Sequence, residues 1–174
     1  MSSSINDFKS AILRNKGFAR PNRFEIEILR VPGWSGNTRD LKFLCETVNL
    51  PGKQITTLDY DIGTRRPLKI PTGYIEDDVT MVFNLTNNYA VKEALDKWMG
   101  QIINADSYLL SYDTTYKRDI SIAQLDENNS RVYAVQLRNA YPITVNSIDL
   151  DSNSESTVQK VTAVFTYDEL KINQ

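Results

Sequence analysis

PGKQITTLDYDIGTRRPLKIPTG, residues 51–73, is the stretch whose reading decides the fold. Pro51-Gly52 opens it, Pro71-Thr72-Gly73 closes it, and strand-forming residues flank a central Gly63-Thr64. A two-residue Gly-X loop suits a type II′ turn, because glycine takes the positive φ at the first central position without steric cost. That turn predicts Ile62 opposite Arg65, Asp61 opposite Arg66 and Asp59 opposite Leu68. The one opposed charge pair beside the loop contributes only about 0.2–1 kcal/mol. Neither arm shows a strong apolar face, and Pro67 withholds an amide donor from the second arm, which suits a sheet edge. A long, half-polar hairpin of this kind reads as an arm that reaches onto a neighbour and completes an open sheet edge there. An ordinary hairpin folded against its own domain is the other reading.

The flanks supply what the arm is mounted on. Upstream, Phe24, Ile26 and Ile28 alternate with Arg23, Glu25 and Glu27, which predicts a half-buried strand. Residues 31–40, with Pro32, Gly33, Gly36 and Asn37, read as a loop, and residues 41–48 as a second strand that runs into Leu50-Pro51-Gly52. Downstream, Val79, Met81, Phe83 and Leu85 mark every second position against Asp78, Thr80, Asn84 and Thr86, a strand with one wet face. The period then changes to about 3.6. Val91, Leu95, Trp98 and Ile102 line one face of a helix over residues 89–103, with Trp98 toward the core. Residues 104–118, with Tyr108, Tyr112 and Tyr116, read as an aromatic connector, and tyrosines four apart also fit a helix face or an interface.

From Asp119 onward the pattern is strands again. Ile120 and Ile122 alternate up to Leu125, residues 126–130 form a turn, and Tyr133, Val135 and Leu137 alternate through 131–140. Tyr141-Pro142 bends the chain, 143–150 continues, 151–156 is a polar loop, and Val161, Ala163, Phe165 and Tyr167 mark the last strand. At the other end, Ser4-Ile5-Asn6-Asp7 reads as a capping box. Ile5, Phe8, Ile12 and Leu13 follow at helical spacing and Gly17 stops the helix, expected over residues 4–16. So short a helix needs something to lie on.

The sum is a mainly β (α+β) fold in a single domain, residues 1–174. It is expected to be an antiparallel β-sandwich or small barrel of eight or nine strands, with one packed helix, a short N-terminal helix and a protruding hairpin. Phe24, Phe83, Trp98 and Phe165 are the expected core-packing residues.

Composition narrows the chemistry. A chain of 174 residues, 41% hydrophobic and 24% charged, is long enough for one sizeable core. No run approaches the roughly 18 apolar residues that span a bilayer, and the N-terminus has no secretory pattern. Histidine is absent, which removes the usual general base, metal ligand and near-neutral pH switch. The single cysteine, Cys45, sits in an apolar run and reads as a buried small hydrophobe. Net charge is −2, so tight phosphate-backbone binding is not expected.

Charge is uneven along the chain. Residues 1–23 carry five basic side chains against Asp7, and residues 144–174 carry five acids against Lys160 and Lys171. Such ends attract each other in a head-to-tail stack, pair within one molecule or are simply solvated. Asp149, Asp151, Asn153 and Glu155 have the alternation of a calcium loop, but Ser154 replaces its glycine and Lys160 its bidentate glutamate. Asp59 with Asp61, or Asp77 with Asp78, lacks a converging second motif, so these acids read as edge and turn residues. No enzyme, metal or cofactor is expected.

Several blocks together resemble the tail tube protein family of contractile-tailed bacteriophages. They are Gly17-Phe-Ala-Arg20-Pro-Asn-Arg-Phe24-Glu-Ile26; Cys45-Glu46 leading to Leu50-Pro51-Gly52; the hairpin ending at Pro71-Thr-Gly-Tyr74; Asp78-Val-Thr-Met-Val-Phe83; the helix with Trp98; Ile120-Ser-Ile-Ala-Gln124-Leu-Asp126 followed by Tyr133; Ala140-Tyr141-Pro142-Ile143; and residues 161–167. Their order and spacing cover nearly the whole chain. The chain departs at its end, where the family commonly has Tyr-Trp and this sequence has Tyr167-Asp-Glu-Leu.

The resemblance implies a structural virion protein, assembled in the host cytoplasm, whose copies close into hexameric rings. Rings stack inside a contractile sheath, and double-stranded DNA passes through the lumen without specific binding. Implied partners are further copies of the chain, the sheath protein, the baseplate tube initiator, the tape-measure protein and the tail terminator. The family's inter-ring role falls on Asp59, Asp61, Arg65 and Arg66. Two alternatives stand beside it: a tube subunit or tube initiator of a secretion or extracellular injection system, and a monomeric β-sandwich that binds a ligand.

Overall fold

The computed structural model describes residues 4–15, 17–61, 63, 66–153 and 157–173. The elements follow in the order α1 (Ile5–Arg14), β1 (Phe24–Ile28), α2 (Thr38–Leu44), β2 (Cys45–Val48), β3 (Lys53–Tyr60), β4 (Leu68–Glu76), β5 (Val79–Asn84), α3 (Ala90–Ile102), α4 (Asp113–Tyr116), β6 (Arg118–Leu125), β7 (Arg131–Val145), β8 (Lys160–Thr166) and β9 (Glu169–Asn173). The architecture is mainly β, and every strand pairing is antiparallel.

One long sheet runs β1-β6-β7-β8-β5-β2, and β9 pairs on β7. β7 joins its two halves: residues up to Ala140 pair with β6, while Tyr141 onward pairs with β8. The change of partner lies beside Asn139, whose φ is +56°, a left-handed conformation that asparagine tolerates better than most residues. Asp119 fixes this kink by accepting from the Asn139 amide at 3.1 Å, and Asp168 accepts from its side chain at 3.0 Å. The bend expected at Pro142 is therefore made by Asn139, and the strand runs on through the proline to Val145.

Both halves contribute to one core. Ile26, Ile120, Ile122, Val135 and Leu137 come from one, and Val79, Met81, Phe83, Val161, Ala163 and Phe165 from the other. Strict burial of every second residue in β5 and β8 is the period-two pattern of a sheet with one dry face. α3 adds Val91, Ala94, Leu95 and Trp98. The Trp98 ring lies 5.8 Å from that of Phe165, and its indole Nε1 donates to the Tyr116 carbonyl at 2.7 Å. Phe83, Trp98 and Phe165 are buried, whereas Phe24 is half-buried at the margin of the core.

Other departures have local causes. Residues 38–44, expected as loop end and strand start, form α2, because the Asn37 side chain caps it by accepting from Arg39 N at 3.1 Å and Leu41 is buried. The connector contains the short α4, which buries Tyr116 and leaves Tyr108 and Tyr112 exposed. β9 lies beyond the last expected strand and pairs with β7 from Arg138↔Glu169 to Ala134↔Asn173. The capping box is present: Ser4 Oγ accepts from Asp7 N, and the Asp7 carboxylate accepts from Ser4 N.

Candidate self-assembly surfaces

The hairpin is mounted on the open edge of the sheet. β2 and β5 pair from Cys45↔Phe83 to Val48↔Met81, and beyond them Asn49 N donates to Thr80 O and Asp77 N to Gly52 O, each at 3.2 Å. These bonds carry the β2–β5 ribbon into β3–β4. A Cβ at Gly52 would stand 2.7 Å from a carboxylate oxygen of Asp77, so any larger residue there makes that side chain shift. Lys53–Glu76 at 2.7 Å and Tyr167 Oη donating to Asp77 O at 2.9 Å fasten the base. Burial, reinforced by Glu76, Asp78 and Asp77, pushes the Tyr167 hydroxyl up to about 12, so it stays a donor.

Beyond this base, β3 and β4 pair only with each other among the described strands, as a separate two-stranded sheet. At about 3.4 Å per residue, eight or nine residues reach about 25–30 Å. The register differs from the expected one. Asp59 faces Lys69, not Leu68, and Tyr60 faces Leu68. Of the four charged positions singled out, Asp59 and Asp61 are exposed on the first arm, Arg66 is exposed beyond the turn, and Arg65 lies outside the described residues, as do Ile62 and Thr64.

The observed register reveals a surface that the sequence reading missed. Leu58 pairs with Ile70 and Tyr60 with Leu68, so all four lie on one face of the ribbon. Their exposures are 58, 41, 55 and 58% respectively. The arm thus carries an exposed apolar face and, among the described residues, pairs only within itself.

α1 is a second such element. None of its residues is buried; Ile5, Phe8 and Leu13 are exposed, and Phe8 meets only Phe18 at 6.4 Å among the described aromatic contacts. Part of the basic start is spent within the molecule. Arg20 pairs with Glu127 at 3.1 Å, and Arg23 donates to the carbonyls of Asp126 and Glu127. At the acidic end, Asp168 pairs with Lys117 and Glu169 with Arg138.

The described residues contain no group of three or more His, Cys, Asp or Glu that could hold a metal ion. Ser154 and Glu155 of the calcium-like run lie outside the described residues. Burial, then the neighbouring Glu46 carboxylate, pushes the Cys45 thiol up to about 12, the opposite of a nucleophile's requirement. No described helix is long and apolar enough to cross a membrane.

The profile of the phage tail tube protein family matches residues 19–173. The chain belongs to that family. The match takes in the hairpin and every strand and leaves α1 outside. The fold is likewise that of several solved tube-system chains. One, from the extended sheath-tube complex of an extracellular contractile injection system, PVC, aligns with a TM-score of 0.67 at 17% identity over 99% of each chain. Another, from the tube-terminating cap of the anti-feeding prophage, aligns at 0.64 and 16% over 89% of this chain and 90% of that one. A third, from the anti-feeding prophage baseplate, aligns at 0.63 and 16%, over 89% and 95%. No curated protein sequence matches the chain. A tail tube protein is a structural subunit of a phage or injection-system particle.

Proposed function

We propose that copies of this chain close into hexameric rings, and that the rings stack into the inner tube of a contractile tail through which DNA leaves the particle. The observation that carries this reading is the β3–β4 arm, which pairs with no other strand among the described residues and holds Leu58, Tyr60, Leu68 and Ile70 in water. On a member of the tail tube family, that arm is the ring-to-ring contact. Its apolar face supplies the burial, while the charges of Asp59, Asp61, Arg65 and Arg66 set the register of stacking. The chain acts without catalysis. Its partners are further copies of itself, the sheath, the baseplate tube initiator, the tape-measure protein and the tail terminator, and assembly takes place in the host cytoplasm.

Deletion of residues 54–70 tests the reading. The variant is expected to be a soluble, folded species that makes no tubes under the electron microscope; normal tubes from it reject the assignment. A second reading, the same subunit in an extracellular injection tube, is supported by the likeness to chains of such systems. Particles isolated from producing cells separate the two: packaged DNA supports the phage tail, and intact sheathed tubes without DNA support the injection system.

A further inference from the structure

α1 is amphipathic, and its apolar face stays largely in water. Ile5, Phe8 and Ile12 recur at intervals of three and four residues, which places them on one side of the helix. Ile5 and Phe8 are 75 and 61% exposed, and no residue of the helix is buried. So short a helix is marginal unless such a face is covered. α1 also lies outside the part of the chain that the family profile matches, residues 19–173.

A trough of matching character lies at the end of β5 away from the arm. Val79 opens that strand beside the arm's base, whereas Asn84 runs into Leu85 at the trough. The larger part of the trough, about 880 Å³, is lined by Leu85, Ile148 and Val158 among others. The smaller part, about 490 Å³, has Phe43, Leu44 and Ala90, and Thr86 and Asn87 border both parts. Phe43 and Val158 are 67 and 59% exposed. No described residue of α1 lines either part.

Charge complements the apolar match. Asp40, Asp149 and Asp151 also line the trough, and none of them forms an ion pair with another described residue. Lys160, at the same place, is already held by Glu46 at 2.7 Å. On α1, Lys9 and Arg14 likewise make no ion pair among the described residues, while Asp7 is engaged in the cap. A basic helix and an acidic trough therefore remain once the pairs within the subunit are made.

We infer that α1 docks, apolar face inward, in this trough on a second copy of the chain. The inference rests on the ring reading above and adds a contact that ties neighbouring subunits of the tube together. Each copy offers one helix and one trough, a heterologous contact that repeats from subunit to subunit. The helix has ten residues and is about 15 Å long. Burial of Ile5, Phe8 and Ile12 against Phe43, Leu85 and Val158 supplies the attraction. Lys9, beside the apolar stripe, faces the acidic rim, and Arg14 adds its charge to the same field.

Two singly substituted chains test the contact, because the native Cys45 is buried and gives little background. One carries Phe8→Cys on α1; the other carries Val158→Cys in the trough and a tag that makes the mixed dimer distinct in mass. Ile5→Cys replaces Phe8→Cys if that substitution blocks assembly. Electron microscopy first establishes whether the unsubstituted chain makes tubes, and their absence overturns the ring reading and this inference with it. With tubes in hand, the two chains are mixed, assembled and treated with a short bismaleimide. Assembly should raise the mixed dimer at least about tenfold over the unassembled mixture, since docking makes the encounter local. Lys9→Glu with Arg14→Glu on the first chain should lower that yield several-fold. Tubes that give no mixed dimer above the unassembled level overturn the inference while leaving the ring reading intact. So does an equal yield from Ser10→Cys, on the opposite side of α1, or closure of a chain carrying both cysteines onto itself.

Discussion

The arm's apolar face gives a prediction with a magnitude. Leu58→Thr and Leu68→Thr together keep β-propensity on both strands while removing most of the hydrophobic gain on docking. Complete burial of a leucine is worth about 1.5–3 kcal/mol. Each of these leucines keeps 58% of its surface exposed in the protomer, so docking can still supply about 1–1.7 kcal/mol per side chain. Two per copy give about 2–3.4 kcal/mol, and six copies at one junction of the proposed hexameric rings give about 12–20 kcal/mol. Since about 1.4 kcal/mol is a factor of ten, the threshold concentration for tubes should rise beyond the accessible range. The protomer should hardly notice, because exposed substitutions of this kind change stability by about 0.5 kcal/mol or less. Sedimentation across a concentration series measures the threshold, and thermal melting of the soluble fraction reads the protomer. Tubes from the double variant at the unsubstituted threshold would refute the reasoning. A protomer that unfolds would show instead that the two leucines serve their own subunit.

Two predictions concern the body on which the arm is mounted. Trp98→Phe leaves the buried Tyr116 carbonyl without its 2.7 Å donor, so stability should fall by about 1–3 kcal/mol, at about 2–4 °C per kcal/mol in a chain of this size; calorimetry showing an unchanged melting temperature contradicts this. Glu25 is held below its ordinary 4.5 first by Lys42 and then by Arg131, against the opposing effect of burial. A carboxylate lowered in the folded state contributes stability that is complete above its unfolded value and is lost as pH falls through the folded one. Glu25→Gln should therefore flatten the acid side of the stability profile below about pH 4.5, and an acid limb as steep as before would exclude this pair as its cause.

Much of the body could be read from periodicity because one sheet face is dry. The alternation around Met81, Ile122, Val135 and Ala163 has a single meaning once a core exists. The arm lacked such a reference, since both its faces are wet. A turn placed at Gly63-Thr64 set Leu58 opposite Lys69 and Tyr60 opposite Pro67, and the ribbon looked half-polar. The observed pairing is offset by one residue, which gathers Leu58, Ile70, Tyr60 and Leu68 on one face. β9 escaped notice because it offers only Leu170 and Ile172 for alternation. α2 was hidden because Leu41, Phe43 and Cys45 mimic a strand; the Asn37 cap decides for helix and leaves Phe43 exposed.

Negative-stain electron microscopy of the purified, unsubstituted chain over a range of concentrations tests the central claim most directly. The account predicts rings with an open centre that grow into tubes of one diameter as concentration rises. Monodisperse single subunits at the highest concentration, with the arm packed against its own sheet, would contradict it.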